Sequence, residues 1–181
     1  MVPMGYMAKR IVAKPDWLKN ANVKRLFSVS GCNSHNLICA EQGESLLNGH
    51  WMLNRRAEAD RALVVEADDD AQPQTFYYEL YPEQWNDCLG EWEVFSVDSK
   101  RAVTIEVPQS PTLEGFDIVS FSFGSQPECS LLSCSHLAER VSVNEQCLLP
   151  TLEEAKALLA SGEFHGCEPG PYRILAVYSL S

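Results

Sequence analysis

Tyr172-Arg173-Ile174-Leu175-Ala176-Val177-Tyr178-Ser179-Leu180 is the stretch whose reading decides the fold. Its side chains are apolar at odd and even positions alike, apart from Arg173 and Ser179. Alternate residues of a strand face opposite sides of a sheet, so the run predicts an interior strand covered on both faces. The preceding Glu168-Pro169-Gly170-Pro171 reads as a rigid turn. Before it, Thr151-Leu152-Glu153-Glu154 is a capping box, in which Thr151 and Glu154 satisfy each other's free backbone donors. The helix it opens turns Leu152, Ala155, Leu158 and Leu159 inward, and Gly162 closes it.

The middle of the chain alternates with period two. Thr75 to Tyr81 places Phe76, Tyr78 and Leu80 on one face; Trp92 to Val97, Ala102 to Val107 and Asp117 to Phe123 follow. Their short connections favour antiparallel neighbours, with Pro108, Pro111 and Gly115 marking the turn before the last strand. Further strands are expected at residues 9–14 and from Lys24 to Ser30, the latter followed by a turn over Ser30 to Ser34. Asn54 is placed to cap a helix running to about Glu66, and Ser130 one running to about Arg140 with Leu131, Cys134, Leu137, Ala138 and Val141 on one face. The sum is an α+β protein, a mostly antiparallel sheet with two or three helices packed on one face.

At 181 residues the chain reads as a single domain, 1–181, large enough to bury roughly 70% of its unfolded surface. Met7-Ala8-Lys9-Arg10 reads as an alternative start, so residues 1–7 are expected to be flexible or dispensable. No apolar run approaches the ~20 residues of a membrane span, and the N-terminus lacks the apolar core of a secretion signal. The expectation is a cytoplasmic protein with no membrane partner. Its seven cysteines, an odd number, are expected to be reduced.

Net charge is −11 and unevenly spread. Lys9, Arg10, Lys14, Lys19, Lys24 and Arg25 bias the N-terminus, whereas Ala62 to Ser99 contains no Lys or Arg. Acids on such a surface repel phosphate backbones, which argues against nucleic acid and for a basic protein as partner. Asp68, Asp69, Asp70, Glu83, Trp85, Asp87, Glu91 and Trp92 are the residues such a binding surface would use, with the aromatics as anchors. An inhibitor- or immunity-like protein-binding module is therefore the first expectation. Nucleophile-elbow, phosphate-loop, dinucleotide and His-Glu-x-x-His motifs are all absent from the sequence.

Two alternatives come from the thiols and imidazoles. Cys134, His136, His165 and Cys167 would give zinc two sulfur and two nitrogen ligands, although one intervening residue is tight for a metal knuckle. Cys129, Cys134, Cys147 and Cys167 would give four thiolates. A thiol enzyme would use Cys129, which precedes an expected helix start, or Cys32, three residues before His35. No cofactor is called for, except zinc under the metal reading.

Overall fold

The computed structural model describes residues 1–32, 36–37, 47–65, 73–95, 104–122, 124 and 126–181. Eight strands and two α-helices follow in chain order: β1 Val2–Arg10, β2 Val12–Ala13, β3 Arg25–Leu26, β4 Asn36–Leu37, α1 Arg56–Val65, β5 Pro73–Asn86, β6 Glu91–Val94, β7 Thr112–Ser120, α2 Leu152–Ser161 and β8 Tyr172–Ser179. The main sheet has the order β4-β1-β5-β8-β7, with β6 paired to the far end of β5, and β2 and β3 form a separate ribbon. Every one of these pairings is antiparallel. The α+β class holds, with two α-helices.

Strand β8 is interior, as its two-sided apolar pattern predicts. Tyr77 pairs with Tyr178 on one side of it, and Ile118 with Ile174 on the other. Leu175 and Val177 pack with Phe76, Tyr78 and Leu80 in one core cluster; Ile174 and Ala176 pack with Phe116, Ile118 and the α2 residues Ala155, Leu158 and Leu159 in another. A third cluster joins Ala59 and Ala62 of α1 to Tyr6, Ala8 and Tyr77. The charge at Arg173 is accommodated by stacking: its guanidinium lies 4.0 Å from the Phe95 ring centre and 4.2 Å from that of Phe121, while Nε donates to Gln84.

Four expectations are corrected. Residues 1–7, expected to be flexible, contribute to β1, the second strand of the sheet, and Met4, Tyr6 and Met7 are buried. Gly5 adopts φ 129°, and a Cβ there would stand 2.5 Å from the Leu53 carbonyl oxygen, so the backbone of the 48–53 turn lies directly against this strand. The strand expected from Ala102 to Val107 does not form over its described part: residues 104–107 are irregular, and Val107 is exposed. Gly115 is not in a turn before a strand but inside β7, at a register shift. The helix expected from Ser130 to Arg140 is replaced by a turn and a short 3-10 segment, His136–Glu139, capped by Ser135. Ser130 caps that turn, its hydroxyl accepting from Ser133 N–H at 3.1 Å while donating to Asp117.

Helix α1 forms where expected, although Asn54 is not its cap. The Glu58 carboxylate accepts from the backbone N–H groups of Asn54 and Arg55 instead. Ahead of α1, Asn48 organises a tight turn: Oδ1 accepts from the N–H groups of His50 and Met52, and Nδ2 donates to the Met4 carbonyl. This turn buries His50, and burial, aided by the charge of Arg173, lowers its imidazole to about 4. Among the described residues no helix is long and apolar enough to cross a membrane.

Two stability measurements follow from these elements. An unfolded histidine takes up protons below about pH 6.5, whereas folded His50 does so only near pH 4. Its contribution is therefore complete above pH 6.5 and is lost as pH falls towards 4, on the order of 3 kcal/mol in all. Urea titrations at pH 7 and pH 4.5 should show a smaller acid loss in His50→Gln than in the wild type, and equal losses would refute the assignment. The α2 capping box is complete, Thr151 Oγ1 accepting from Glu154 N–H while Glu154 accepts from Thr151 N–H. Thr151→Ala should cost about 1 kcal/mol in the same titration.

Candidate metal centre

Three short segments, two of them consecutive in sequence and the other nearly a hundred residues earlier, meet beside β7. The first carries Cys32 and follows β3. The second, Glu128 to Leu131, runs antiparallel along β7: Ser120 N–H donates to the Cys129 carbonyl at 2.9 Å, and Leu131 N–H to that of Ile118 at 2.8 Å. The third is the turn that brings Cys134 back over Ser130, with Cys134 N–H donating to the Ser130 carbonyl at 3.0 Å.

A buried charged network fixes these segments. Lys9, at the end of β1, is 2% exposed. Its ammonium donates to three successive carbonyls, those of Ser28, Val29 (2.8 Å) and Ser30 (3.0 Å). Asp117, in β7, is wholly buried; Oδ2 accepts from Val29 N–H at 3.0 Å, and Oδ1 accepts from the Ser130 hydroxyl at 2.6 Å. The Ser133 hydroxyl donates to that of Ser28 at 2.7 Å, tying the third segment to the first. Burial lowers the Lys9 ammonium to about 7, offset in part by the opposite charge of Asp117. Burial likewise raises the Asp117 carboxyl to about 6, against the hydrogen bonds from Ser130 and Val29 and the charge of Lys9. The Tyr78 hydroxyl, buried and without a hydrogen-bond partner, is pushed well up by burial and then by Asp117.

On this frame the sulfurs of Cys32, Cys129 and Cys134 all lie within 4.8 Å of one another. The Cys32 and Cys129 sulfurs are 3.3 Å apart, and the Cys134 sulfur is 3.5 Å from the Ser30 hydroxyl. Burial pushes all three thiols up, and it prevails at Cys129 and Cys134. At Cys32 it is outweighed by hydrogen bonds from Ser30, Cys129 and Cys134, which leave that thiol below its ordinary range. Cys129 and Cys134 line a cavity of about 390 Å³ together with His136, Arg140, Cys167 and Glu168. Tetrahedral zinc, with Zn–S bonds of about 2.3 Å, spaces its sulfurs about 3.8 Å apart. The trio is close to that spacing and supplies three thiolates beside an open space.

The residues singled out from the sequence are differently placed. Of the quartet Cys134, His136, His165 and Cys167, three line the cavity, but it does not converge as a set. His136 Nδ1 is 3.2 Å from the Glu139 carboxylate and its ring lies edge-on to Trp17; Cys167 contacts the Ser135 hydroxyl at 3.4 Å; His165 lies against Phe164. Among the described residues, the Cys32, Cys129 and Cys134 trio is the group of three or more ligating side chains that comes together so closely. Cys147 is a core residue whose thiol faces the Leu132 carbonyl, which removes it from the four-thiolate set. His35 lies outside the described residues, as do Asp68, Asp69 and Asp70.

Of the acidic surface, Trp85 is in the core and Trp92 is half-buried against it. Glu83 accepts from the Tyr81 hydroxyl, Asp87 accepts from Gly170 N–H, and Glu91 is exposed. Sequence reasoning missed Lys9 and Asp117. The available signal was Asp117 itself, an acid on the same strand face as Val119 and Phe121.

Removing the Lys9 ammonium takes away a charged donor to three buried carbonyls and the positive charge that partly offsets the burial of Asp117, at about 1.5–3 kcal/mol for a hydrogen bond to a charged group. Lys9→Met should show that loss in urea denaturation, and adding Asp117→Asn should cost less than the sum of the two single changes. A loss below about 1 kcal/mol for Lys9→Met would show that the network does not hold the three segments.

In comparisons with known proteins, no family model, no curated protein and no solved structure matches this chain.

Proposed function

We propose that this protein binds a soft or borderline divalent metal ion, zinc foremost, through the thiolates of Cys32, Cys129 and Cys134. The observation that carries the reading is the approach of three sulfurs from segments 97 residues apart to within 4.8 Å of one another. Thiolate sulfur selects zinc and other thiophilic ions over magnesium and calcium, which take oxygen ligands. Three protein ligands leave a fourth tetrahedral position for water or another donor, the arrangement of zinc sites that bind or activate a small molecule. The cavity lined by Cys129 and Cys134 gives that position room.

This reading is preferred to docking of a basic protein on the acidic stretch. There the aromatic anchor Trp85 is buried, and Glu83 and Asp87 already accept internal hydrogen bonds. The ligand set differs from the quartet suggested by the sequence, and Cys134 is their common member.

Reduced protein freed of metal by chelation should take up one zinc per chain in a competition titration at neutral pH. Cys32→Ser, Cys129→Ser and Cys134→Ser should each weaken binding by more than the ~10–100-fold that loss of an outer-shell partner costs. Cys88→Ser, an exposed thiol elsewhere, should bind as the wild type does. Absence of stoichiometric zinc, or equal affinity in the Cys129 and Cys88 variants, would remove the proposal.

A further inference from the structure

The same three sulfurs permit a second chemistry, which does not depend on a metal being bound. We infer that Cys32 and Cys129 form a thiol–disulfide exchange couple that reduces small organic disulfides, with Cys32 as the attacking sulfur and Cys129 as the resolving one. Their sulfurs are 3.3 Å apart, and a disulfide bond needs them to approach by only about 1 Å more. The backbone at each residue is anchored, Cys32 N–H donating to the Ser30 hydroxyl at 3.0 Å and Cys129 N–H to that of Ser120 at 3.2 Å.

Exposure assigns the roles. Cys32 is exposed and Cys129 half-buried, so an incoming disulfide meets Cys32 first. Cys134 is set back, its sulfur 3.5 Å from the Ser30 hydroxyl and 3.9 Å from that of Ser133. Cys129 also lines the cavity of about 390 Å³, which lies within the size range of small-molecule sites. Arg140 and Glu168 on its wall offer one charge of each sign to a zwitterionic substrate such as a disulfide of an amino acid or short peptide.

The exchange balances in two steps. The Cys32 thiolate attacks one sulfur of RS–SR, forming a Cys32–S–SR bond and breaking the S–S bond of the substrate; RS⁻ leaves and takes up a proton. Cys129 then gives its proton to solvent and attacks the Cys32 sulfur, forming the Cys32–Cys129 bond and expelling the second RS⁻, which is protonated in turn. Two thiols of the protein lose two electrons and two protons, and one disulfide becomes two RSH.

The test uses the full chain, reduced and freed of metal, with glutathione disulfide as the probe. Wild type should lose two of its seven thiols with no glutathione retained, and peptide mapping should find Cys32 joined to Cys129. Cys129→Ser should stop at one glutathionyl group on Cys32. Retention of all seven thiols, a linkage between any other pair, or an adduct of Cys129→Ser on another cysteine would overturn the inference. A parallel zinc titration separates the two readings. Protein that forms the Cys32–Cys129 bond without binding zinc rejects the metal proposal alone. Protein that binds zinc when reduced, yet keeps its thiols when metal-free, rejects the exchange alone.

Discussion

A single ammonium group held away from water organises the thiol-bearing end of this molecule. Lys9 directs its side chain at the carbonyls of Ser28, Val29 and Ser30, three acceptors that a buried irregular segment would otherwise leave short of donors. Asp117 meets the same segment from the other side, through Val29 N–H, and continues to Ser130. One end of β1 and the middle of β7 are thereby linked through the 28–30 segment, although two strands, β5 and β8, separate them across the sheet. Apolar packing could fill that space, but it would not fix the register of the loops. Directional bonds to successive backbone groups do fix it, and the thiols attached to those loops inherit their positions.

How much of this was legible in the sequence depends on how local the responsible physics is. Helix α2 was readable to its caps, because a capping box and an αL glycine act within a few residues. The interior place of β8 was readable because burial on both faces leaves its mark on every residue. The Ser130 to Arg140 region shows the opposite case. The periodicity identified Leu131, Leu137 and Ala138 as buried, and they are, yet no helix forms over the whole span. The Ser130 hydroxyl caps a turn there, accepting from Ser133 N–H while donating to the distant Asp117, and nothing near Ser130 announces that second bond. The N-terminus misled for a related reason. Lys9 beside Arg10 resembles ordinary surface charge, and only the fold shows that one of the two is buried.

The site was half legible. Cys129 and Cys134 stand together in the four-thiolate set, but Cys32 is not joined to them in any ligand set, because a separation of 97 residues carries no information about distance in space. The paired spacings around His136 and His165 do not bring those imidazoles into the close trio: one contacts Glu139 and Trp17, the other Phe164. The cysteines thus divide by environment. Cys147 is a buried packing residue, Cys88 is exposed on its own, and the trio is gathered by a polar frame that apolar packing does not require.

The order of strands carries one more consequence, for biosynthesis. Strand β8 lies between β5 and β7 yet is the last of the sheet's strands to be synthesised. Until it emerges, β5 and β7 each have an unpaired edge facing the space it will fill, and the apolar faces on either side of it have nothing to close against. The Asp117 end of the frame belongs to β7, so the thiol loops cannot be locked before that insertion. Until β8 is made, a nascent chain of this protein is therefore an open-edged intermediate, the state most exposed to strand-to-strand aggregation.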